Sequence, residues 1–483
     1  MRYSKLLVLL AAVSTSSSVA AAGPRNVLLL ISDNHCAADM GCYGHPDIRT
    51  PNLDALAARG TKFLHAYATV SSCGPSRGVI YTGLLTHANG QYTHAHSFHN
   101  GVLARHVRPV FDLVKAGGYR TALFGKTSFT PLPDQYQLDA FGKGSDRDLP
   151  AMTEQAEQFI RDGGERPFLI ALCTHDPHPM DKPAAVRQKL KPATPRTIDP
   201  ATLHLPNYVN DRPDVRESFA EYYELVERLD DGFGQALAML ERTGKANDTL
   251  VMFFADHGSS YPHGYTQYEP GIHVPMIVYD PTAKRRGVES RAMVTLADVT
   301  PTILDWTGVT PPYKLHGQSL LGILEQEQPA GWDGAVLSHV MHEVTMYYPM
   351  RTLHERRYKL IWNLCSQMPF LNAKEVAERS PWRLTIERGE KLIGRRTVEK
   401  YVWRDPIELY DLESDPDEIV NLADDPKFAE LRRTMSERLL ARLRETDDYW
   451  LERYRLPMPG EKVDVLLPPP AGYAPSRKKA RGD

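Results

Sequence analysis

Five short apolar stretches, uninterrupted by the polar residue that a half-wet strand shows at every second position, constrain the fold of this 483-residue chain most strongly. They span 27–31, 121–124, 168–172, 250–254 and 276–279. Runs of this kind suit strands covered on both faces, and hence a largely parallel sheet between two layers of helices. One intervening helix is legible where Phe219, Tyr222, Val226, Leu229, Phe233, Leu237 and Leu240 recur at spacings of three and four. The expected fold is α/β, with helices flanking a central, mostly parallel sheet.

The residues that follow these runs are polar. They are Asp33-Asn34, Gly125-Lys126, Thr174-His175-Asp176-Pro177-His178 and Asp256-His257-Gly258. Any one of them alone reads as a cap or a turn. In an open parallel sheet, however, the ligand crevice lies outside the carboxyl ends of the strands, so four such ends would converge on one site.

Beyond about residue 335 the apolar pieces shorten, and a helix is marked by Phe428, Leu431, Met435, Leu439 and Leu443. The expected organisation is a main domain over 23–335, a smaller α+β domain over 336–467 and a disordered, Pro-led basic tail over 468–483. Residues 1–22 combine a charged start, a short apolar run and a small-residue cleavage site, the pattern of a secretory signal peptide. An exported protein is expected, periplasmic or extracellular, or lysosomal in a eukaryote. No later stretch approaches the ~18 apolar residues of a membrane span. With 57 Lys and Arg against 60 Asp and Glu, no overall field recruits nucleic acid. Five cysteines are too few, and odd in number, for a disulfide framework.

Ser72-Cys73-Gly74-Pro75-Ser76-Arg77 reads as a helix start, with Gly83 as its exit. Cys73 would then sit where free backbone N–H groups favour an anion, and Arg77 one turn on would face the same end.

Cys73-Gly74-Pro75-Ser76-Arg77 followed by Thr82-Gly83 resembles the C-x-P-S-R…T-G signature of type I sulfatases, and the strand-end residues fall in that family's order. Glu408-Leu409-Tyr410-Asp411, with Asp415-Pro416, Glu418 and Asn421-Leu422-Ala423, extends the likeness toward the C-terminus. The segments His342-Glu343-Val344-Thr345-Met346, Tyr348-Pro349-Met350-Arg351 and Met368-Pro369-Phe370 are most similar to the family's sulfamidase branch, which acts on N-sulfated glucosamine. The resemblance implies an alkaline-phosphatase-like fold and a sulfated saccharide of heparin or heparan type as substrate. It also implies a formylglycine made from Cys73 by a maturation enzyme, and it leaves room for a homodimer. The implied catalytic residues are Cys73, Arg77, Lys126, His175 and His178, with His175 or His178 as general acid. One Ca²⁺ would be held by Asp33, Asn34, Asp256, His257 and the residue-73 oxygen, and the sugar would meet His263, His342, Glu343 and Arg351.

The chain departs from the family pattern at three places. Asn34 replaces the second aspartate of the metal pair, Ser128 stands where a histidine is usual, and Gly264, beside His263, replaces a basic residue. These departures keep open a degenerate glycan binder and an O-sulfatase as alternatives, and the intact Cys73 motif argues against a phosphoester hydrolase with a Ser or Thr nucleophile. A separate zinc site at His87, His94, His96 and His99 is a further alternative to a histidine-rich loop at the pocket mouth.

Overall fold

The computed structural model describes residues 25–130, 132–180, 189–259 and 261–461. The expected signal peptide over 1–22 and the expected tail over 468–483 lie outside the described residues. All five apolar runs are strands of one eight-stranded sheet. Its order is β4 (Ala140–Phe141), β3 (Arg120–Gly125), β5 (Phe168–Cys173), β1 (Asn26–Ser32), β6 (Thr249–Ala255), β7 (Met276–Tyr279), β2 (Thr61–Tyr67) and β8 (Val288–Thr295).

β1 shows why its run does not alternate. Val27, Leu29 and Ile31 join the core on one face, Leu28 and Leu30 join the core on the other, and all five are fully buried. Each such side chain contributes ~1.5–3 kcal/mol relative to an exposed one, so a polar residue on either face would be costly. One core is closed by the helices Val110–Ala116 and Val299–Thr307, through Phe111, Val114, Ile303 and Trp306. The other is closed by Pro51–Arg59, Leu149–Gly163 and the thirty-residue helix Pro213–Arg242, whose Leu229, Phe233 and Leu240 carry the expected stripe.

β7 runs antiparallel to both β6 and β2. Burial on both faces is indifferent to strand direction, so the apolar run could not show this reversal. β2 and β8 were not legible as strands, because Lys62, His65, Glu289 and Arg291 interrupt them. β8 is the edge of the sheet, and its Glu289 and Arg291 are exposed.

The C-terminal part is built on β9 (Gly334–His339), β10 (Met350–Glu355), β11 (Tyr358–Asn363) and β14 (Ile407–Asp411), which form an antiparallel sheet in the order β14-β11-β10-β9. A small hairpin, β12 (Leu392–Ile393) and β13 (Arg396–Thr397), stands apart from it. The helix Ala429–Glu445 covers one face, with Met435, Leu439 and Leu443 against Leu353, Leu360, Trp362 and Leu409. The segments after β9 and β11 do not stay with this sheet. They carry His342, Glu343 and the short helix Lys374–Glu378 back to the carboxyl ends of the main sheet.

Candidate active site

β5, β1 and β6 lie side by side at the sheet centre, and their hydrogen bonding continues past the strand ends. Asp33 N–H donates to the Asp176 carbonyl at 3.1 Å, Asp256 N–H to Ser32 at 3.1 Å and Lys126 N–H to Cys173 at 2.8 Å. The polar ends are thereby fixed in one register. Gly125 makes the turn into Lys126 at φ +99°, where a Cβ would stand 2.1 Å from the Cys173 carbonyl oxygen, so only glycine fits.

The Cys73–Thr82 helix is buried throughout and ends on Gly83, whose left-handed φ of 66° lets its N–H cap the Val79 carbonyl. At its start, the Cys73 Sγ lies 3.4 Å from Asp33 Oδ1, 3.2 Å from His257 Nε2 and 3.7 Å from Asn34 Oδ1. Burial and then the Asp33 charge raise the Cys73 thiol well above its usual range. Arg77 donates through Nε to Asp256 Oδ2 at 3.0 Å, and Lys126 Nζ pairs with Asp33 Oδ2.

Asp33, Cys73, Asp256 and His257 each offer a ligand atom within 4.8 Å of the others. Asn34, at φ +60°, donates through Nδ2 to the Tyr265 hydroxyl at 3.3 Å and leaves Oδ1 turned toward Cys73. Burial works against charge on Asp33, yet Lys126, His175, His178 and Arg77 hold its carboxyl well below the usual range. Burial and the Asp33 charge push Asp256 up to about 7. Two buried carboxylates that resist joint ionisation, with an amide oxygen and an imidazole converging on the same point, are a donor set that fits a hard divalent cation.

A cleft of about 700 Å³ opens over these groups, lined among others by Cys73, Lys126, Ser128, Asp146, His175 and His178. His175 Nδ1 lies 3.1 Å from Asp146 and its Nε2 3.5 Å from Asp33 Oδ2, and burial followed by Lys126 lowers it to about 4. Asp176, between the two histidines, is fully buried and paired with Arg147 and Arg228, so it anchors the segment. His342 is buried in the cleft wall, with Nδ1 3.0 Å from Ser72 Oγ and its ring stacked on Tyr265 at 3.9 Å, and Glu343 sits beside it in the lining.

Two expectations do not hold in space, and the zinc alternative finds no converging ligand set among the described residues. His263 lines a different cavity with Cys36, Tyr208 and Tyr268, because its left-handed backbone, at φ +82°, turns the ring against Tyr268 and Tyr401. Arg351 is fully buried in β10 and paired with Asp448, away from the cleft, because β10 directs it into the C-terminal part. His87 faces Asp448 and the Thr446 carbonyl, while His94 groups with His96, His99 and His342. Among the described residues the converging ligand atoms belong to the Asp33 group and not to these histidines.

Sequence reasoning missed Asp146, Tyr265 and Glu375. Glu375 accepts from His178 Nε2 at 3.0 Å and belongs to the cleft lining. Nothing in the polar stretch around it marks it, because its role depends on the C-terminal segment folding back over the main sheet.

A family model described as sulfatase matches residues 25–309, and one described as N-sulphoglucosamine sulphohydrolase, C-terminal, matches residues 263–370. The human N-sulphoglucosamine sulphohydrolase is 34% identical over 465 residues, covering 89% of this chain and 92% of the human one. An ulvan-active sulfatase of Formosa agariphila is 26% identical over 447 residues, covering 88% of this chain and 80% of its own. A solved structure holding D-glucosamine-2-N,6-O-disulfate aligns with TM-score 0.65 at 20% identity, over 88% of this chain and 98% of that one. The phosphonate monoester hydrolase of Agrobacterium radiobacter aligns with TM-score 0.66 at 20% identity, over 87% and 96%. These two likenesses show the alkaline-phosphatase-like fold.

Proposed function

The chain belongs to the sulfatase family, enzymes that hydrolyse sulfate esters or sulfamates, and we propose that its own substrate is an N-sulfated glucosamine at the non-reducing end of a heparin- or heparan-type chain. One observation carries this reading. The segment matched by the N-sulphoglucosamine sulphohydrolase model, 263–370, contributes His342 and Glu343 to the cleft that also contains Cys73.

Cys73 is a poor nucleophile as it stands, since its raised thiol keeps its proton at working pH. Conversion to formylglycine would supply a geminal diol that attacks sulfur and later expels sulfate by returning to the aldehyde, and a divalent cation, Ca²⁺ by the oxygen-rich donor set, would draw charge off the sulfate oxygens. Asp33, Asn34, Asp256 and His257 are the residues that would hold the cation. Lys126 and Arg77 carry the positive charge that orients the sulfate, Lys126 from the cleft wall and Arg77 from behind Asp256. His178 delivers the proton to the departing nitrogen, a role worth ~10²–10⁴ in rate. His175, neutral by its lowered value of about 4, serves as a hydrogen-bonding partner beside the sulfate. Export through the leader over 1–22 would bring the enzyme to its glycan.

Two measurements test this. The mass of the peptide bearing residue 73 distinguishes aldehyde from thiol, and a thiol in active protein refutes the formylglycine. Incubation of the matured enzyme with glucosamine N-sulfate and with 6-O-sulfated and 2-O-sulfated saccharides should yield sulfate and free amine from the first. Sulfate without free amine would refute the sulfamidase reading and leave the family standing.

A further inference from the structure

His178 is held between two groups that only accept. Its Nδ1 lies 2.9 Å from the Pro179 carbonyl oxygen and its Nε2 3.0 Å from Glu375 Oε2. A carbonyl oxygen has no proton to give, and an ionised carboxylate has none either, so both ring nitrogens must donate. We propose that Glu375 is a positioning residue that holds His178 as an imidazolium, so that His178 meets the substrate already carrying the proton required by the departing nitrogen. The catalytic half of this inference rests on the reading of His178 as the general acid.

The surroundings support the assignment. Burial disfavours charge on Glu375, and contact with His178 foremost, then Arg379 and Lys126, lowers its carboxyl to about 2, which is consistent with a carboxylate–imidazolium pair. Among the described residues, the other charged or titratable groups around His178 do not substitute for it. Arg147 donates to the His178 carbonyl at 2.8 Å and Arg379 to the Pro179 carbonyl at 3.5 Å, and both positive charges oppose an imidazolium, as does that of Lys126 in the same cleft. The His175 ring is 4.7 Å away, and Asp33 and His257 act on His178 through space without a hydrogen bond. Glu375 Oε1 is buried, has no hydrogen-bond partner among the described residues and lies 3.9 Å from His342 Nε2.

The step balances simply. As the S–N bond breaks and its electron pair stays on nitrogen, the Nε2 proton leaves its hydrogen bond to Glu375 Oε2 and passes to that nitrogen. The neutral imidazole keeps its Nδ1–H on Pro179, and its Nε2 lone pair then faces the Glu375 carboxylate. That repulsive contact favours reprotonation from solvent through the open cleft. His178 follows β5, whereas Glu375 comes from the C-terminal helix Lys374–Glu378, so the proton donor is complete only when the two parts have docked.

The test compares the matured parent with Glu375→Gln, Glu375→Asp and His178→Gln. In protein labelled with ¹⁵N-histidine, the signals lost in His178→Gln identify His178. At neutral pH the parent should show both ring nitrogens as N–H, and Glu375→Gln should show one of them without its proton. On a sulfamate, a poor leaving group, Glu375→Gln should lose about tenfold or more at pH 7.5 and recover as the pH falls, while on an aryl sulfate the loss stays within about threefold. Glu375→Asp should restore part of both. Unchanged His178 protonation in Glu375→Gln, or equal losses on both substrates at every pH, overturns the proposal. Equal losses on both substrates in His178→Gln would instead overturn the general-acid reading and the catalytic half with it, while the ¹⁵N signals still decide whether Glu375 holds the proton.

Discussion

Replacing Arg351 with methionine separates a structural arginine from a sugar-binding one. Arg351 Nε lies 2.5 Å from Asp448 Oδ2 and Nη2 3.1 Å from Oδ1, both side chains are fully buried, and the guanidinium sits 5.6 Å from the Trp450 ring centre. Burial works against charge on Asp448, and Arg351 foremost holds its carboxyl below the usual range. Without Arg351 the buried carboxylate must find a proton. Taking it directly, from an ordinary value of 3.8, costs about 5 kcal/mol at pH 7.5. Drawing it onto His87, whose Nδ1 is 3.7 Å from Asp448 and whose ordinary value is 6.5, costs about 1.4 kcal/mol before the burial that already lowers His87. The expected loss is therefore about 3 kcal/mol at pH 7.5, in line with breaking one side of a buried pair.

The pH dependence has a definite sign. Whichever group takes the proton in the variant has its folded-state value raised above the unfolded one, so its contribution is present at low pH and lost as pH rises. In the parent, the lowered Asp448 keeps its stabilisation above the unfolded value of 3.8 and loses it only as pH falls below, outside the range of interest. The gap between the two proteins should therefore narrow to about 1 kcal/mol at pH 5.5, since one proton is worth at most ~1.4 kcal/mol per pH unit. Urea unfolding followed by tryptophan fluorescence, at both pH values, measures it. The KM for the sulfated saccharide should stay within about twofold of the parent, because Arg351 does not reach the cleft. A variant of unchanged stability whose KM rises tenfold would refute the buried-pair account.

Three other outcomes are expected. Cys73→Ala should abolish turnover and Cys73→Ser should be sulfated once and stall, as peptide mass and sulfate release will show; steady turnover by either contradicts the mechanism. Asn34→Asp should tighten divalent-cation binding by about tenfold or more through the added charge, and calorimetry showing no change removes Asn34 from the ligand set. Arg228→Met should cost about 3 kcal/mol, softened by Arg147, and lower kcat more than it raises KM, because Asp176 would no longer hold His175 and His178 in place; unfolding and steady-state kinetics check both.

The chain alone determined the doubly covered sheet, since an apolar run without alternation has one economical burial, and it determined the strand-end wall of the cleft. Asp33, Lys126, His175, His178, Asp256 and His257 were legible because each follows a strand that the apolar runs announce, and strands side by side in a sheet present their carboxyl ends together. Cys73 and Arg77 were legible because a helix start joins them within one turn. Tertiary structure alone decided the opposite wall. Glu375 lies 197 residues from the histidine it contacts, and no local periodicity records such a meeting. The same holds for Arg351, which reads as a polar neighbour of His342 along the chain. Its strand instead directs it into a dry interior, where Asp448, 97 residues away, is the carboxylate that pairs with its charge.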